Sequence, residues 1–318
     1  MKTKCVCLWS NRFCGTVTPD FDRKGNIVRE PRGIGNPYLK SICVRGGYDH
    51  NAESIYGDII PPIHMAITYA MSNSEDASRI IAGEQFGYVY GRFGNPTVRG
   101  LERCFAALEG GQAAIAFASG NAAHAALIAH FCSPGDNIVL HRDIYGGTNH
   151  LVGHRSKLTS HVEARFVEDP TDLDCWRVCI DEKTQFAFME VPTNPHGNVY
   201  DIRGVANLLH MWGKQLVVDS TIATSIILRP LEHGADIVSH SLSKSAAGFS
   251  QAMGGILVGS SEFVEHVYKN ESRDMGALLS PMSAWLIHVF GFSTLYERMQ
   301  SHAHNTRILL LALQRHPK

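Results

Sequence analysis

The chain has 318 residues, of which 44% are apolar and 19% are charged. This length and composition are typical of a globular protein of about two domains, with a core large enough to enclose a site. The 29 basic and 30 acidic residues give a net charge of -1, so no basic footprint for nucleic acid or an anionic membrane stands out. We therefore expect a small-molecule partner, with no nucleic acid and no membrane.

The N-terminus and the cysteines predict a cytoplasmic protein. No apolar run is long enough for a membrane-spanning helix or a signal peptide. The eight cysteines are scattered through the chain, which indicates reduced thiols rather than a disulfide scaffold. Cys5, Cys7 and Cys14 could bind a metal, but no second ligand pair follows at finger spacing, so we expect no metal site.

Three kinds of segment follow one another along the chain. Residues 1–62 are rich in glycine, proline and charge, which predicts an extended arm of the kind that embraces a neighbouring subunit. From Thr97 the stretch TVRGLERCFAALEGG has apolar residues at helical spacing and ends at a glycine pair, a helix stop signal. The last part, from Pro281 to Lys318, also has a helical pattern.

Between these segments, continuous apolar runs alternate with stretches of helical length such as AAHAALIAHF and VANLLHMW. The runs are AAIAFA, NIVLH, VEARFV, QFAFMEV, QLVVDS, ADIVSH and GGILVG. Alternation of this kind predicts an α/β domain over 63–259, with a mostly parallel sheet covered by helices on both faces.

Ligands of parallel sheets bind beyond the carboxyl ends of the strands, and two such ends carry features of a binding site. Ser119, Gly120 and Asn121 precede a predicted helix, whose free N–H groups could bind a phosphate, although a Ser-Gly pair there is also an ordinary N-cap. Asn194 lies between two prolines, which predicts a rigid turn at the sheet edge and by itself is a plain turn.

Two further strand ends carry charges. Asp219 ends an apolar strand and needs a partner, which could be a helix terminus, an arginine or a protonated ring nitrogen. Lys244 follows another strand with Ser241 and Ser243 nearby, although most lysines are solvated surface charges. Together the four ends suit a ligand with a phosphate, a phenolic oxygen, a basic ring nitrogen and an aldehyde. Pyridoxal 5′-phosphate (PLP) has all four groups, with the aldehyde forming a Schiff base with the lysine.

The motifs YGRFGNPT, ASGNAA, YGGT, EVPTNP, VVDSTIAT and SHSLSK occur in this order. From about Ile59 to its end, the chain resembles the Cys/Met metabolism (trans-sulfuration) family of PLP-dependent enzymes. The resemblance implies the aspartate aminotransferase-like fold type I and a homo-oligomer, expected to be a dimer of dimers. It divides the chain into an arm (1–62), a PLP-binding domain (63–259), and a helical connection (260–318) into a C-terminal domain whose remainder is absent.

The resemblance also implies roles for individual residues. Lys244 is implied to be the Schiff-base lysine, Asp219 the partner of the pyridine nitrogen, and Tyr145 the ring that stacks on the cofactor and assists proton transfer. Without the other motifs, Tyr145 would be read as a core aromatic residue. The implied cofactor-binding residues are Tyr90, Arg92, Ser119, Gly120, Asn121, Tyr145, Glu190, Asn194, Asp219, Thr221, Ser241, Ser243 and Lys244.

Tyr90 and Arg92 are implied to reach the phosphate of the adjacent subunit, a task that suits the forked guanidinium of arginine. The alternative interpretation is a core tyrosine beside a solvated loop charge. If the implied role holds, a single chain has incomplete sites.

The implied activity is PLP-dependent elimination or replacement at the γ-carbon of a sulfur amino acid or an activated homoserine. The chain departs from the family pattern at several positions. Phe249 replaces a histidine, Gln251 often an aspartate, and Gly147 stands where methionine γ-lyases carry a reactive cysteine. The chain also stops before the family arginine that binds the substrate carboxylate. Two alternatives remain: γ-replacement with a non-sulfur nucleophile in a specialised pathway, or a catalytically incomplete subunit that pairs with an intact homologue.

Overall fold

The computed structural model describes residues 37–49, 53–54, 56–82, 84–153, 159 and 161–316. Most of the predicted arm over 1–62 therefore lies outside the described residues, as do Cys5, Cys7 and Cys14. In its described part the prediction of an extended, unpacked segment is wrong, because Pro37–Arg45 forms a helix whose Leu39 and Ile42 are buried in the core. Within the described ranges, no helix is long and apolar enough to cross a membrane.

A seven-stranded sheet lies at the centre of the fold. Its strands are β1 (Ala113–Phe117), β2 (Asn137–His141), β3 (Glu163–Val167), β4 (Thr184–Glu190), β5 (Gln215–Asp219), β6 (Ile237–Ser241) and β7 (Gly255–Gly259). In space their order is β1-β7-β6-β5-β4-β2-β3, and β7 runs antiparallel to both of its neighbours while the other pairs are parallel. Each strand overlaps one of the seven predicted apolar runs, which confirms the mostly parallel sheet.

Helices cover the sheet and form the end of the chain. They are α1 (Pro37–Arg45), α2 (Ser74–Ala82), α3 (Pro96–Glu109), α4 (Gly120–Phe131), α5 (Gly146–Val152), α6 (Leu173–Arg177), α7 (Ile202–Met211), α8 (Thr224–Ile227), α9 (Ser261–Val267), α10 (Arg273–Met275), α11 (Pro281–Trp285) and α12 (Ser293–Gln314). A 3-10 turn spans Pro230–His233, and π-helical turns span Tyr268–Ser272 and Leu286–Phe292.

Strong start and stop signals set the bounds of α3. At its start the Asn95 side chain accepts hydrogen bonds from the backbone N–H groups of Thr97 and Val98. At its end Gly110 has a φ of 79°, a left-handed conformation that glycine adopts without steric cost. A Cβ at this position would also lie 2.1 Å from Nη2 of Arg229. The glycine pair therefore ends the helix as the sequence predicts.

The two faces of the sheet pack into separate apolar clusters. Ile138 and Leu140 of β2 pack with Leu127 of α4 on one face, while the intervening Val139 packs with Leu209 of α7 on the other. Successive residues of a strand point to opposite faces, so a strand covered on both sides must be apolar throughout. This explains why the apolar runs in the sequence are continuous rather than alternating.

The C-terminal part packs beside the sheet domain rather than onto the sheet alone. Leu295, Tyr296 and Met299 of α12 are buried in a third cluster together with residues of α1 and α3. Helix α12 then continues as one rod of 22 residues to Gln314. The predicted helical tail is confirmed, and its last turns carry exposed leucine and isoleucine side chains.

Candidate active site

The carboxyl ends of β4, β5 and β6 meet in one row. Glu190 pairs in register with Asp219, and Asp219 pairs with Ser239. All three residues are buried. The Thr221 hydroxyl accepts a hydrogen bond of 2.8 Å from the backbone N–H of Ser241, which ties the loop after β5 to the end of β6. The strand that carries the predicted acid is thus joined to the strand that delivers the predicted lysine.

Asp219 is held as a carboxylate although it is buried. Its Oδ2 lies 3.4 Å from Nε2 of His124, and its Oδ1 accepts a 2.9 Å hydrogen bond from the backbone N–H of Thr221. Burial by itself raises the pKa of Asp219, but His124 and Thr221 outweigh it and hold the pKa below its usual value. A buried carboxylate of this kind can pair with a protonated ring nitrogen.

His124 is a functional residue that the sequence analysis missed. It lies on α4, is 4% exposed, and packs edge-on against Phe188 with ring centroids 4.8 Å apart. Its Nε2 lies 2.9 Å from the hydroxyl of Ser239, and its Nδ1 lies 3.1 Å from that of Thr148. A histidine inside the apolar stretch AAHAALIAHF, one helical turn after Gly120, is the signal that could have found it.

Glu190 fixes two of the predicted site residues. Its Oε2 accepts a 2.6 Å hydrogen bond from the backbone N–H of Tyr145, and its Oε1 accepts a 2.8 Å bond from that of Asn194. Burial and the neighbouring charge of Asp219 raise the pKa of Glu190 to about 7, although the two N–H groups act in the opposite direction. Glu190 therefore holds the loops of Tyr145 and Asn194 at the same edge of the sheet.

Tyr145 lies at the start of α5 and is 43% exposed. Its ring covers Gly147, where a Cβ would lie 2.4 Å from Cε1 of the tyrosine. The side chain of Asn121 donates to the carbonyl of Gly147 at 3.2 Å, so the YGGT and ASGN motifs are in contact. Any side chain at position 147 would displace the tyrosine ring as it is placed here.

The predicted phosphate cradle comes together only in part. A Cβ on Gly120 would lie 3.4 Å from Cβ of Ser241, so these two residues are in contact. The Ser119 hydroxyl caps α4 by accepting from the N–H of Ala122 at 3.2 Å, as the N-cap alternative predicts. The Ser243 hydroxyl bonds to both backbone groups of Gly254. The groups left to bind an anion at this point are the N–H groups of Gly120 and Asn121 at the start of α4, which have no acceptor within the helix, and the Ser241 hydroxyl, which makes no hydrogen bond to the described residues.

Lys244 lies in an exposed turn directly after β6. Its carbonyl accepts a 3.0 Å hydrogen bond from the N–H of Gly248, which closes the turn, and the intervening Ala246 and Ala247 are buried. Among the described residues, its Nζ has no hydrogen-bond or ion-pair partner. The amine is therefore available to a ligand.

Arg298 of α12 holds the turn of Lys244 in place through hydrogen bonds. The sequence analysis did not predict this residue. It donates to the carbonyls of Ser245 and Gly291, both at 2.7 Å, and its guanidinium lies 5.6 Å from the ring centre of Phe249. Gly248 has a φ of 83°, and a Cβ there would lie 2.7 Å from the guanidinium. Phe249, the departure from the family pattern, thus serves as a cation–π partner of Arg298.

Tyr90 and Arg92 lie apart from this group. The Arg92 guanidinium donates to the carbonyl of Arg273 and lies over the rings of Tyr90 and Phe93. Both predicted residues are exposed. In the part of the chain that the structure describes, no hydrogen bond or ring contact joins them to Asp219 or to the turn of Lys244.

The chemistry of these residues fits PLP. An ionised buried aspartate, an unpaired lysine amine, an exposed tyrosine ring and the start of a helix lie on loops that hydrogen bonds tie to one edge of the sheet. Residues 40–318 match the family described as Cys/Met metabolism PLP-dependent enzymes. The chain belongs to this family. The predicted cofactor and the predicted class of enzyme are therefore confirmed.

Individual relatives agree with this assignment. L-methionine gamma-lyase of Pseudomonas putida is 35% identical over 287 residues, which cover 89% of this chain and 70% of the relative. O-succinylhomoserine sulfhydrylase of Pseudomonas aeruginosa is 36% identical over 306 residues, which cover 95% of this chain and 72% of the relative.

Solved structures confirm the predicted fold type. Cystathionine gamma-lyase from Lactobacillus plantarum, complexed with L-serine, is 32% identical, with a TM-score of 0.79 over 88% of this chain and 69% of that one. A Campylobacter jejuni chain that carries N'-pyridoxyl-lysine-5'-monophosphate is 30% identical, with a TM-score of 0.82 over 88% of this chain and 76% of that one.

Proposed function

We propose that this enzyme catalyses elimination or replacement at the γ-carbon of a sulfur amino acid or an activated homoserine. The observation that carries the proposal is the link between Asp219 and the turn of Lys244, through Thr221 and Ser241. The relatives support the substrate class, because they are named as gamma-lyases and sulfhydrylases.

PLP, when bound, supplies the electron sink that stabilises the electron pair left on Cα of the substrate after Cα loses its proton. Asp219 keeps the ring nitrogen protonated, because its own lowered pKa leaves it charged. Nζ of Lys244 would remove the Cα proton and deliver it to the former aldehyde carbon of the cofactor, which returns the amine to its neutral form. The same amine would then remove a Cβ proton, and the γ-substituent would leave with its bonding electrons. Tyr145, whose ring is half exposed at the same edge of the sheet, would orient the amine and transfer a proton at its hydroxyl. The first N–H groups of α4 hold the phosphate.

Gly147 favours an acylhomoserine or cystathionine type of substrate over methionine. The ring of Tyr145 occupies the space that a side chain at position 147 would need. The reactive cysteine expected of methionine γ-lyases therefore has no counterpart at this place. One observation supports the alternative reaction, γ-replacement with a non-sulfur nucleophile. The exposed Phe249 borders the turn of Lys244 in place of a histidine.

The working unit proposed here is a cytoplasmic homo-oligomer, a dimer of dimers, in which Tyr90 and Arg92 complete the phosphate site of a neighbouring subunit. Both residues are exposed and are turned toward each other rather than toward Asp219. The division into an arm over 1–62, a PLP domain over 63–259 and a helical connection over 260–318 belongs to the same proposal. The buried free thiols of Cys43 and Cys104 suit a reducing compartment.

Absorbance spectroscopy tests the lysine assignment. Incubated with PLP and then desalted, the wild type should show a visible band from the lysine-bound cofactor, and Lys244→Ala should lose it. Lys183→Ala, which changes an exposed lysine away from the site, should keep the band. A colourless wild type, or an unchanged band in Lys244→Ala, would contradict the proposal.

A turnover assay with the isolated protein separates the reaction types. Formation of a 2-oxo acid and ammonia from O-succinylhomoserine shows elimination, and its suppression by an added thiol, with a thioether product, shows replacement. Turnover without a second protein would exclude the incomplete-subunit alternative. No turnover of any γ-substituted substrate by a PLP-loaded protein would overturn the proposed activity.

A further inference from the structure

Three potential metal ligands converge at the end of α4 that is remote from the PLP site. The donor atoms of His130, His266 and Glu271 all lie within 4.8 Å of one another, and no other such group occurs among the described residues. His130 lies about 15 Å along the helix axis from Gly120, at a rise of about 1.5 Å per residue. The group therefore takes no part in the chemistry described above.

A π-helical turn brings two of these residues together. His266 lies near the end of α9, and Glu271 lies on the turn Tyr268–Ser272 that continues it. A π-helical turn has hydrogen bonds between residues five positions apart, so it widens the helix and brings positions 266 and 271 closer to the same face than a regular α-helix would. Asn270 donates to the carbonyl of His266 at 3.0 Å and steadies the turn. Single π-turns inside α-helices are frequent at functional sites.

The spacing between the two less exposed ligands suits a bridging ion. Nδ1 of His130 lies 3.4 Å from Oε2 of Glu271. Both atoms are buried, and neither has a hydrogen-bond partner. Around a tetrahedral zinc ion with bonds of about 2.0–2.1 Å, neighbouring ligand atoms lie about 3.3–3.4 Å apart. The two atoms face each other as an ion pair without a hydrogen bond of good geometry, and an ion between them would bond to both.

The surroundings fix one histidine and leave the other free to adjust. The His130 ring packs edge-on against Phe131 and Phe263, with centroids 4.5 Å and 5.3 Å away, and against His266 at 4.8 Å. His266 is exposed, so its ring can rotate to complete the site. Burial also lowers the pKa of His130, against the opposing effect of Glu271, and a neutral imidazole is the form that binds metals.

We propose that His130, His266 and Glu271 bind a divalent transition-metal ion of the zinc type, with a fourth position open to water. Two imidazole nitrogens and one carboxylate oxygen suit Zn²⁺, whereas Ca²⁺ and Mg²⁺ prefer oxygen ligands only. Sequence reasoning did not predict the group, because its members lie far apart along the chain and show no finger spacing.

The bound ion would tie the end of α4 to the segment that leads back to the cofactor edge. Two residues after Glu271, the carbonyl of Arg273 accepts a hydrogen bond from the guanidinium of Arg92. Further along, Leu278 pairs with Phe117 at the end of β1. The ion is therefore a structural clamp on the chain that holds Arg92, and not a catalytic ion.

Zinc binding to the PLP-loaded protein tests the proposal. In a background with Cys5, Cys7 and Cys14 changed to serine, chelator-treated protein should bind one Zn²⁺ per chain in isothermal titration calorimetry. His266→Ala and Glu271→Gln should each weaken binding more than about 100-fold, because each removes a direct ligand. His210→Ala is the matched control, since His210 pairs with Asp236 outside any three-ligand group of the described residues, and it should leave the affinity unchanged.

Thermal unfolding supplies a second measurement. Zinc should raise the Tm of the wild type and of His210→Ala, and it should leave the Tm of the two ligand variants unchanged. The PLP absorbance band should stay the same in all four proteins, which shows that they are folded and that the result does not depend on the proposed reaction. Equal zinc affinity in His266→Ala, Glu271→Gln and the wild type, or no binding by the wild type, would overturn the site.

Discussion

The ends of β4 and β5 carry two carboxyl groups whose pKa values are shifted in opposite directions although they occupy the same row of the sheet. Glu190 and Asp219 pair in register and are 5% and 7% exposed. The pKa of Glu190 is raised to about 7, whereas the pKa of Asp219 is lowered. Burial is nearly equal, so burial cannot account for the opposite directions.

The partners of each carboxylate account for the difference. Asp219 faces the imidazole of His124 and the N–H of Thr221, which together favour its charged form against burial. Glu190 accepts two backbone N–H groups but also faces the negative charge of Asp219, which adds to the effect of burial. Two neighbouring acids cannot both ionise easily, and the one with the imidazole partner keeps the charge. The comparison shows how one strand end keeps a charge that could pair with a cofactor, whereas the carboxyl group at the other strand end accepts hydrogen bonds from two loops.

Of the three substitutions that test this difference between the two carboxyl groups, Asp219→Asn should have the largest effect on activity. The variant keeps the shape but loses the buried charge, so kcat/KM should fall about 10²–10⁴-fold, which corresponds to about 2.7–5.5 kcal/mol. The pKa of Glu190 should fall at the same time, because the neighbouring negative charge is gone. Steady-state kinetics and carboxylate NMR titration measure the two effects. Asp174→Asn, at an exposed position, should change neither, and a fully active Asp219→Asn would refute the pairing with the ring nitrogen.

Glu190→Gln should change how stability depends on pH. A carboxyl group whose pKa rises from 4.5 to about 7 on folding stabilises the fold when protonated. That contribution is fully present below about pH 4.5 and is lost as the pH rises through about 7, a change on the order of 3 kcal/mol in the free energy of unfolding. In Glu190→Gln, the free energy of unfolding should not show this decrease between about pH 4.5 and 7.

Urea unfolding of the PLP-free proteins at several pH values between about 4.5 and 8 measures the slope. Glu163→Gln, which removes an exposed carboxylate, should retain the wild-type slope. Parallel curves for the wild type and Glu190→Gln would show that Glu190 has an ordinary pKa.

His124→Ala should have the smallest of the three effects. It removes a hydrogen bond to a charged group, worth about 1.5–3 kcal/mol, so activity should fall about 10- to 150-fold. Because His124 lowers the pKa of Asp219, the acid limb of the pH–activity profile should move to higher pH in the variant. His302→Ala, at an exposed position, is the control. A loss of activity without movement of the acid limb would mean that His124 supports packing alone.

The helices, the strands and the positions of the candidate residues Lys244 and Asp219 follow from local sequence patterns. Continuous apolar runs predict the seven strands, because a strand covered on both faces has no polar side to mark it. The left-handed Gly110 ends α3 as the glycine pair predicts. Lys244 and Asp219 were predicted from their places at strand ends, and the structure ties those ends together.

The residues that tune the site could not be predicted in the same way. His124 contacts Asp219 across the space between α4 and β5, and Arg298 braces the lysine turn from a helix more than 40 residues later in the chain. The local sequence around His124 or Arg298 does not indicate which distant residue each one contacts. From the local sequence alone, a histidine packed within a helix and an arginine exposed at the surface explain these two residues as well as the contacts found in the structure.

The sequence by itself determined the strand pattern, the order of the motifs and the type of chemistry, because periodicity and residue type are properties of neighbours along the chain. Only the tertiary structure decided which of two adjacent carboxylates keeps its charge and which three distant side chains can share an ion. Those outcomes depend on distances of a few ångströms between segments, through burial and electrostatic interactions that the linear order does not specify.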